Sequence, residues 1–242
     1  MLVYGHRGAA GEAPENTIAG FRHAIERGTR HFELDVQMSK DDKLMVIHDN
    51  KVNRTTYSRG NVNQFSARDL AKMDARRSGP PWPRKKNANV ATLDAVLDAT
   101  PETKNYQVEV KSARRAVIER VAEQLASRFP TRRAARRIIV TSSDLKLHAC
   151  LQEIAPQITR GLVSMSPDPL DTLQEYQCDY LIAVWGVCNY YLVSRARRAG
   201  IPVSVWTVND PQVVKNLYRL KVHSVITDYP SMALPLVGSL TR

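Results

Sequence analysis

The residues best suited to chemistry are acids and histidines in three short segments near the N-terminus. These segments are His6-Arg7-Gly8, Glu33-Leu34-Asp35 and His48-Asp49. Farther along the chain, Glu109 and Lys111 stand in an otherwise apolar run. This combination suits metal-assisted cleavage of a phosphodiester, in which carboxylates hold a divalent cation, the cation and an arginine bind phosphate, and the histidines move protons.

Glu33 and Asp35 alternate with apolar residues, so a strand would direct both carboxylates to one face. Two carboxylates on a buried face repel each other unless a cation lies between them, and oxygen-only ligation suits Mg²⁺ or Ca²⁺. Glu109 and Lys111 share a face in the same way. Glu109 is therefore the candidate third metal ligand, and the alternative is an internal ion pair between Glu109 and Lys111.

His6 and His48 are the candidate catalytic groups, because imidazole titrates near neutrality and one ring can accept a proton while another donates one. Arg7 follows His6 directly and carries a planar fork of donors that matches phosphate oxygens. Lys111 is the second candidate phosphate contact. Isolated histidines are more often structural, and we interpret the remaining ones in that way: His23, His31, His148 and His223.

Short apolar, β-branched runs alternate with helical patterns along the chain. The predicted strands are Leu2–Gly5, His31–Gln37, Tyr106–Val110, Arg137–Thr141, Ile158–Val163, Tyr180–Val184, Pro202–Thr207 and Ser224–Thr227. The predicted helices are Thr17–Arg27, Leu93–Ala99, Arg115–Phe129, Leu145–Ile154, Pro169–Tyr176, Tyr190–Ala199 and Pro211–Leu220. This alternation predicts an α/β fold, and eight such strands fit a closed (β/α)8 TIM-type barrel. Barrel enzymes place their sites after the strand ends, where Trp206 forms either an apolar wall of the site or plain core.

The segment Lys43–His48 lies too close to the preceding strand for a parallel crossover, so it predicts an antiparallel hairpin. A turn centred between Asp41 and Asp42 would place His48 opposite Asp35. Residues 51–91 are rich in Arg, Asn, Ser, Gly and Pro. We expect this stretch to be a small inserted subdomain over one barrel end, with a helix near Ser66–Met73, within a single domain spanning 1–242.

The formal net charge of +11 over 242 residues suits anionic partners such as phosphate substrates, nucleic acid or acidic lipid. Few aromatic residues lie among the basic clusters, so nucleic acid is not the expected partner. No apolar stretch is long enough to span a bilayer, and the N-terminus lacks a secretory signal. The three cysteines lack metal-ligand spacing. We expect a cytoplasmic monomer or homodimer without stable membrane insertion. The basic clusters are Arg84–Lys86, Arg114–Arg115, Arg132–Arg137 and Arg195–Arg198.

Several segments together resemble the glycerophosphodiester phosphodiesterase family. They read GHRGAAGEAPENTIAGFRHAIERG, FELDVQMSKDDKLMVIHDNKVNRTT, VEVK, WTVN and ITDYP, in the family's order. The turn Lys40–Lys43 lacks the glycine common there, and serine follows Ser142 where an aromatic is common; both departures bear on substrate preference. The resemblance implies a (β/α)8 barrel with a small insertion, metal ligation by Glu33, Asp35 and Glu109, catalysis by His6 and His48, and phosphate binding by Arg7 and Lys111.

The expected function is therefore metal-dependent hydrolysis of glycerophosphodiesters to sn-glycerol 3-phosphate and an alcohol. A lysophospholipase D would keep this chemistry but would need an apolar channel for an acyl chain. A non-catalytic barrel that binds polyanions would show steep, salt-dependent affinity. The sphingomyelinases D of the spider-venom type share the early His, Glu-x-Asp and His pattern, but VEVK and the lack of disulfide spacing disfavour them.

Overall fold

The computed structural model describes residues 1–84, 87–111 and 115–241. Lys85, Lys86 and Arg114 of the basic clusters lie outside the described residues, as does that part of the expected insertion. The strands are β1 Leu2–Gly5, β2 His31–Met38, β3 Leu44–Val46, β4 Ala91–Thr92, β5 Asn105–Val110, β6 Ile138–Ser142, β7 Thr159–Ser164, β8 Tyr180–Val184, β9 Val203–Trp206 and β10 Ser224–Thr227. The helices are α1 Ile18–Glu26, α2 Ala67–Leu70, α3 Leu93–Ala99, α4 Arg115–Arg128, α5 Arg132–Ala135, α6 Leu145–Ile154, α7 Leu170–Glu175, α8 Tyr190–Arg198, α9 Pro211–Leu220 and α10 Pro230–Leu240.

Eight parallel strands of the described chain form a closed barrel with helices between the strands. Their order around the barrel is β1, β2, β5, β6, β7, β8, β9 and β10, and the ring closes because β1 pairs with both β10 and β2. The predicted (β/α)8 barrel is confirmed, and each predicted barrel strand matches an observed strand to within one residue at either end.

Side-chain caps explain where several helices begin. Thr17 accepts a hydrogen bond from the Gly20 amide at the start of α1, and Asn189 accepts one from the Leu192 amide at the start of α8. Such caps satisfy backbone N–H groups that have no partner within the helix. Helix α10 was not predicted, since its sequence contains Pro235, a residue that normally interrupts helices.

Strand alternation separates the outer core from the barrel interior. Phe32 and Leu34 are fully buried in the cluster that packs the strands against the surrounding helices. Glu33 and Asp35, between and beside them, point to the other face. The same strand therefore stabilises the barrel wall and carries candidate functional groups into the barrel.

The β2–β3 hairpin is present, but its predicted register is wrong by one residue. Val36 pairs with Val46, and the Ile47 amide donates to the Asp35 carbonyl oxygen, so Asp35 faces Ile47 and not His48. The turn has an odd number of residues because Asp42 adopts a left-handed conformation with φ 55°. Three-residue hairpin loops commonly use such a left-handed residue, which here replaces the glycine usual at this position.

The segment after the hairpin forms its own small core beside the barrel. The predicted helix near Ser66–Met73 is confirmed but shorter, because α2 covers only Ala67–Leu70 and is capped by Ser66. That this segment is an inserted subdomain within a single domain stays a prediction. The buried apolar residues of this cluster are Met45, Ile47, Val52, Val62, Leu70, Ala75 and Val90.

None of the described helices combines the length and apolar character that crossing a membrane requires. The cysteines Cys150, Cys178 and Cys188 are free. The cytoplasmic location and the monomeric or homodimeric state stay predictions.

A buried polar layer lies in the barrel interior below the candidate site. The Gln107 amide nitrogen donates to the Ser204 hydroxyl over 3.0 Å, and the Ser224 hydroxyl lies 2.8 Å from the same oxygen. All three residues are inaccessible to solvent. Because Gln107 lies two residues before Glu109 in β5, this layer supports the strand that carries a candidate ligand.

We expect Ser204→Ala to lower the free energy of unfolding by about 1–3 kcal/mol, since the buried Gln107 amide would lose its partner. Chemical denaturation of both proteins measures the difference. The control Ser127→Ala, on an exposed position of α4, should change stability by no more than about 0.5 kcal/mol. Equal stabilities of Ser204→Ala and the unsubstituted protein would contradict the importance of this layer.

Candidate active site

The predicted acidic residues converge at the carboxyl-terminal ends of the barrel strands. Asp35 and Glu109 are register partners in the parallel β2–β5 ladder, and Glu33 precedes Asp35 by one repeat on the same face. One carboxylate oxygen from each of the three residues lies within 4.8 Å of the other two. This group could hold a metal ion, as the spacing of the acids predicted.

The environment of Glu33 favours a bound cation. Glu33 Oε2 accepts a hydrogen bond from the Arg7 amide, whereas the buried Oε1 has no hydrogen-bond partner within the described part of the chain. Burial, with the negative charge of Asp35, raises the pKa of Glu33 to about 8. A divalent cation would keep Glu33 ionised and would ligate its free oxygen, so these oxygen donors fit Mg²⁺ or Ca²⁺.

Asp35 is the most heavily paired acid of the group. Its carboxylate lies 3.1 Å from Arg7 Nε and 2.8 Å from Lys111 Nζ, and it accepts a 2.8 Å hydrogen bond from Asn16 Nδ2. Burial opposes ionisation, but the Lys111 and Arg7 charges outweigh it and lower the pKa of Asp35 to about 2. Asp35 is therefore a permanent anion at the centre of the site.

Lys111 bridges two of the candidate ligands. Its Nζ lies 2.6 Å from Glu109 Oε1 and 2.8 Å from Asp35 Oδ1. The ion pair that the sequence left open as an alternative is thus present, and the same Glu109 carboxylate also belongs to the acidic group. Burial lowers the pKa of Lys111, but the charges of Asp35 and Glu109 raise it overall, so the ammonium stays protonated.

His6 is held by an acid from the opposite end of the chain. Its Nδ1 lies 2.6 Å from Asp228 Oδ1, while Nε2 lies 3.8 Å from Glu33 Oε2. Burial lowers the pKa of His6, but the bond to Asp228 and the charge of Glu33 raise it overall. The ring therefore directs its free nitrogen toward the acidic group, as an acid–base catalyst requires.

His48 has the same arrangement with a local partner. Its Nδ1 lies 2.6 Å from Oδ1 of the adjacent Asp49, and its backbone carbonyl accepts a hydrogen bond from Gln37. Arg54 fixes Asp49 from the other side through a 2.8 Å bond. The hairpin thus brings His48 to the same end of the barrel despite the one-residue difference in register, and about a third of its side chain remains exposed.

Arg7 and Trp206 complete the set of predicted residues. The Arg7 guanidinium bonds to Asp35 and to Glu15, so in this structure it faces carboxylates. Trp206 lines a small cavity that is also lined by His6 and Glu33, and it packs against the core cluster that contains Tyr4 and Ile226. Its role as an apolar wall of the site stays a prediction. All eight predicted site residues therefore lie around one end of the barrel.

Several polar residues of the site escaped the sequence analysis. Asn16 precedes Thr17, the residue that caps α1, and it adopts φ 55° and donates a hydrogen bond to Asp35. Asp49, Asp228 and Glu15 were given no role, although each anchors a candidate catalytic or binding group. The role of Asp49 could have been inferred from its position directly after His48. No neighbouring residue in the sequence indicates that Asp228 bonds to His6.

Comparisons with known proteins agree with this geometry. The chain is 30% identical to the glycerophosphodiester phosphodiesterase of Bacillus subtilis, over 96% of this chain and 85% of that protein. It is 24% identical to human lysophospholipase D GDPD1, over 93% of this chain and 82% of that protein.

A solved structure, that of a phosphodiesterase from Oleispira antarctica in complex with the product sn-glycerol 3-phosphate, has the same fold. The TM-score is 0.87 at 22% identity, covering 98% of this chain and 97% of that chain. The model of the glycerophosphoryl diester phosphodiesterase family matches residues 6–232. The chain belongs to this family of phosphoric diester hydrolases.

Proposed function

We propose that this protein hydrolyses glycerophosphodiesters to sn-glycerol 3-phosphate and an alcohol with the help of a divalent metal ion. The main support is the convergence of three carboxylates from β2 and β5 beside a histidine whose free nitrogen faces them. Membership of the family supports the same reaction class. A phosphodiester at this end of the barrel would meet positive charge, acid–base groups and an apolar wall within one site.

His6 and His48 would carry the proton transfers. In each residue an aspartate accepts from Nδ1–H, which leaves Nε2 as the nitrogen that exchanges protons with the substrate. One ring removes a proton from the attacking oxygen, and the other donates a proton to the leaving alcohol. The geometry is compatible with attack by water and with attack by the glycerol 2-hydroxyl through a cyclic phosphate.

Glu33, Asp35 and Glu109 would hold the metal, since their oxygen atoms form a compact anionic group that suits Mg²⁺ or Ca²⁺. When bound, such an ion neutralises phosphate charge and stabilises the charge that develops in the transition state. Arg7 and Lys111 lie at the edge of this group. They would turn part of their hydrogen-bonding capacity to the phosphate oxygens, while Trp206 would contact the glycerol carbons.

We expect His6→Ala and His48→Ala each to lose roughly 10²-fold or more in turnover while remaining folded, the loss typical of a general acid or base. Release of glycerol 3-phosphate from glycerophosphocholine measures the rate, and circular dichroism checks the fold. His23→Ala is the matched control, because His23 pairs with Glu12 outside the acidic group. Near-native turnover by either variant would contradict the assignment of that histidine as a general acid or base.

We expect EDTA to abolish glycerol 3-phosphate release and Mg²⁺ or Ca²⁺ to restore it. Glu109→Gln should raise the metal concentration needed for half-maximal activity by roughly tenfold or more, because it removes one anionic ligand. It should also shrink the metal-induced rise in the unfolding midpoint. Glu123→Gln, on the exposed face of α4, is the control. Full activity in EDTA would contradict the metal site.

A lysophospholipid is the second candidate substrate, and an exposed apolar rim favours it. Met165, Trp185, Tyr190 and Tyr191 are 51–72% exposed and follow β7 and β8 at the same end of the barrel as the acids. Arg195 of α8 bonds to Asp168 in the loop after β7 and lies 5.2 Å from the ring of Tyr191 in its own helix. Exposed apolar patches, unlike single exposed residues, often mark binding sites, and human GDPD1 is a related lysophospholipase D.

If this rim contacts an acyl chain, Trp185→Ser should lower kcat/KM for lysophosphatidylcholine by about tenfold, since burying a large apolar side chain contributes about 1.5–3 kcal/mol. Its kcat/KM for glycerophosphocholine should not change. Tyr57→Ser serves as the control, because Tyr57 is 72% exposed in the segment after the hairpin. An equal effect of Trp185→Ser on both substrates, or no effect on either, would remove the support for this candidate.

A further inference from the structure

A groove lies beside the candidate active site, between the β2–β3 hairpin, the segment that follows it and the first turns of α4. Its volume is about 570 Å³, within the range of small-molecule sites. Gln37 bonds to the His48 carbonyl oxygen, and the other lining residues have no role in the catalytic arrangement proposed above. The lining residues are Gln37, Met38, Ser39, Asn50, Asn61, Val62, Asn63, Ala116, Val117 and Arg120.

The groove adjoins the candidate catalytic groups. Gln37 continues the face of β2 that carries Glu33 and Asp35, roughly 6.6 Å beyond Asp35 along the strand. The Gln37 amide nitrogen donates to the His48 carbonyl oxygen over 2.9 Å and to Asn50 Oδ1 over 3.3 Å. A molecule that extends from the acidic group past His48 would therefore enter the groove.

The chemistry of the lining is that of neutral amides. Gln37, Asn50, Asn61 and Asn63 carry side-chain amides, and an amide has both a donor and an acceptor, a combination that matches hydroxyl groups. The Gln37 nitrogen and Asn50 Oδ1 already share a hydrogen bond. Asn63 is exposed, and its side chain has no hydrogen-bond partner among the residues that the structure describes. The Asn63 amide can therefore bond to a ligand without first breaking a bond within the protein.

The groove offers no favourable charge to a cationic ligand. Arg120 lies on the α4 side, where its Nη1 is 3.0 Å from Asp42 Oδ1 and half of its side chain is exposed. No acidic or aromatic side chain is found among the described residues that line the groove. Quaternary ammonium groups are recognised by aromatic faces and by acids, so choline would find no favourable partner here.

We infer that this groove binds the leaving alcohol of the substrate and selects a neutral polyhydroxyl head group, of the glycerol or inositol type, over a cationic one. The inference rests on the proposed function and adds a substrate class to it. The groove lies beside β2, and the apolar rim follows β7 and β8 on the other side of the barrel mouth. The phosphodiester would span the mouth with its glycerol toward the rim and its head group among the amides.

Steady-state kinetics with four diesters of glycerol 3-phosphate test the inference: those of inositol, glycerol, choline and methanol. The methyl diester has no head group to fill the groove and serves as the reference. We expect the highest kcat/KM for the inositol and glycerol diesters. Asn50→Leu and Asn63→Leu should each lower kcat/KM for these two by about threefold to tenfold, the value of one hydrogen bond, and leave the methyl diester unchanged.

Two further variants separate recognition from a structural effect. Asn216→Leu carries the same substitution on the exposed face of α9, outside the groove, and should not change kcat/KM for any of the four diesters. Arg120→Gln should raise kcat/KM for the choline diester relative to the inositol diester, since it removes the opposing charge. A wild-type preference for choline, or an equal loss on all four diesters in the asparagine variants, would overturn the inference. Release of glycerol 3-phosphate from none of the diesters would instead overturn the proposed function itself.

Discussion

Repulsion among three carboxylates in a small, largely buried volume is the constraint that the other residues of the site must compensate. Glu33 and Asp35 are held on one strand and Glu109 is in register beside them, so these acids cannot separate without breaking the barrel. Arg7 and Lys111 compensate Asp35, but Glu33 keeps a free buried oxygen and a raised pKa. The protein therefore holds a buried carboxyl oxygen without a partner beside Asp35, and a divalent cation bound there would favour the ionised form of Glu33.

Closure of the barrel completes one half of the candidate catalytic arrangement. His6 follows the first strand and Asp228 follows the last, and they meet only because β1 and β10 pair in parallel along four residues. His48 depends instead on a local hairpin and on its chain neighbour Asp49. One histidine thus depends on the global fold and the other on a local turn, although both use an aspartate at Nδ1 to aim Nε2.

The features that could be predicted from the sequence are those determined by the alternation of apolar and polar residues. Alternation in β2 and β5 located the barrel strands and the acids on their inner faces, because a strand assigns side chains to faces with a period of two. The predicted register of the β2–β3 hairpin was wrong, because the left-handed Asp42 adds a residue to the turn. Partners such as Asn16 for Asp35 and Asp228 for His6 were missed, because long-range hydrogen bonds between polar residues leave no periodic pattern in a single chain.

The two sides of the barrel mouth differ in a way that the strands do not dictate. Amides and Arg120 line the side of β2, whereas Trp185 and its exposed neighbours lie beyond β7 and β8. These residues belong to loops, short turns and helix starts, which can change without moving the carboxylates of β2 and β5. The barrel thus fixes the position of the acidic group, and under the proposed function the surrounding segments would decide which groups of the substrate are accepted on either side of it.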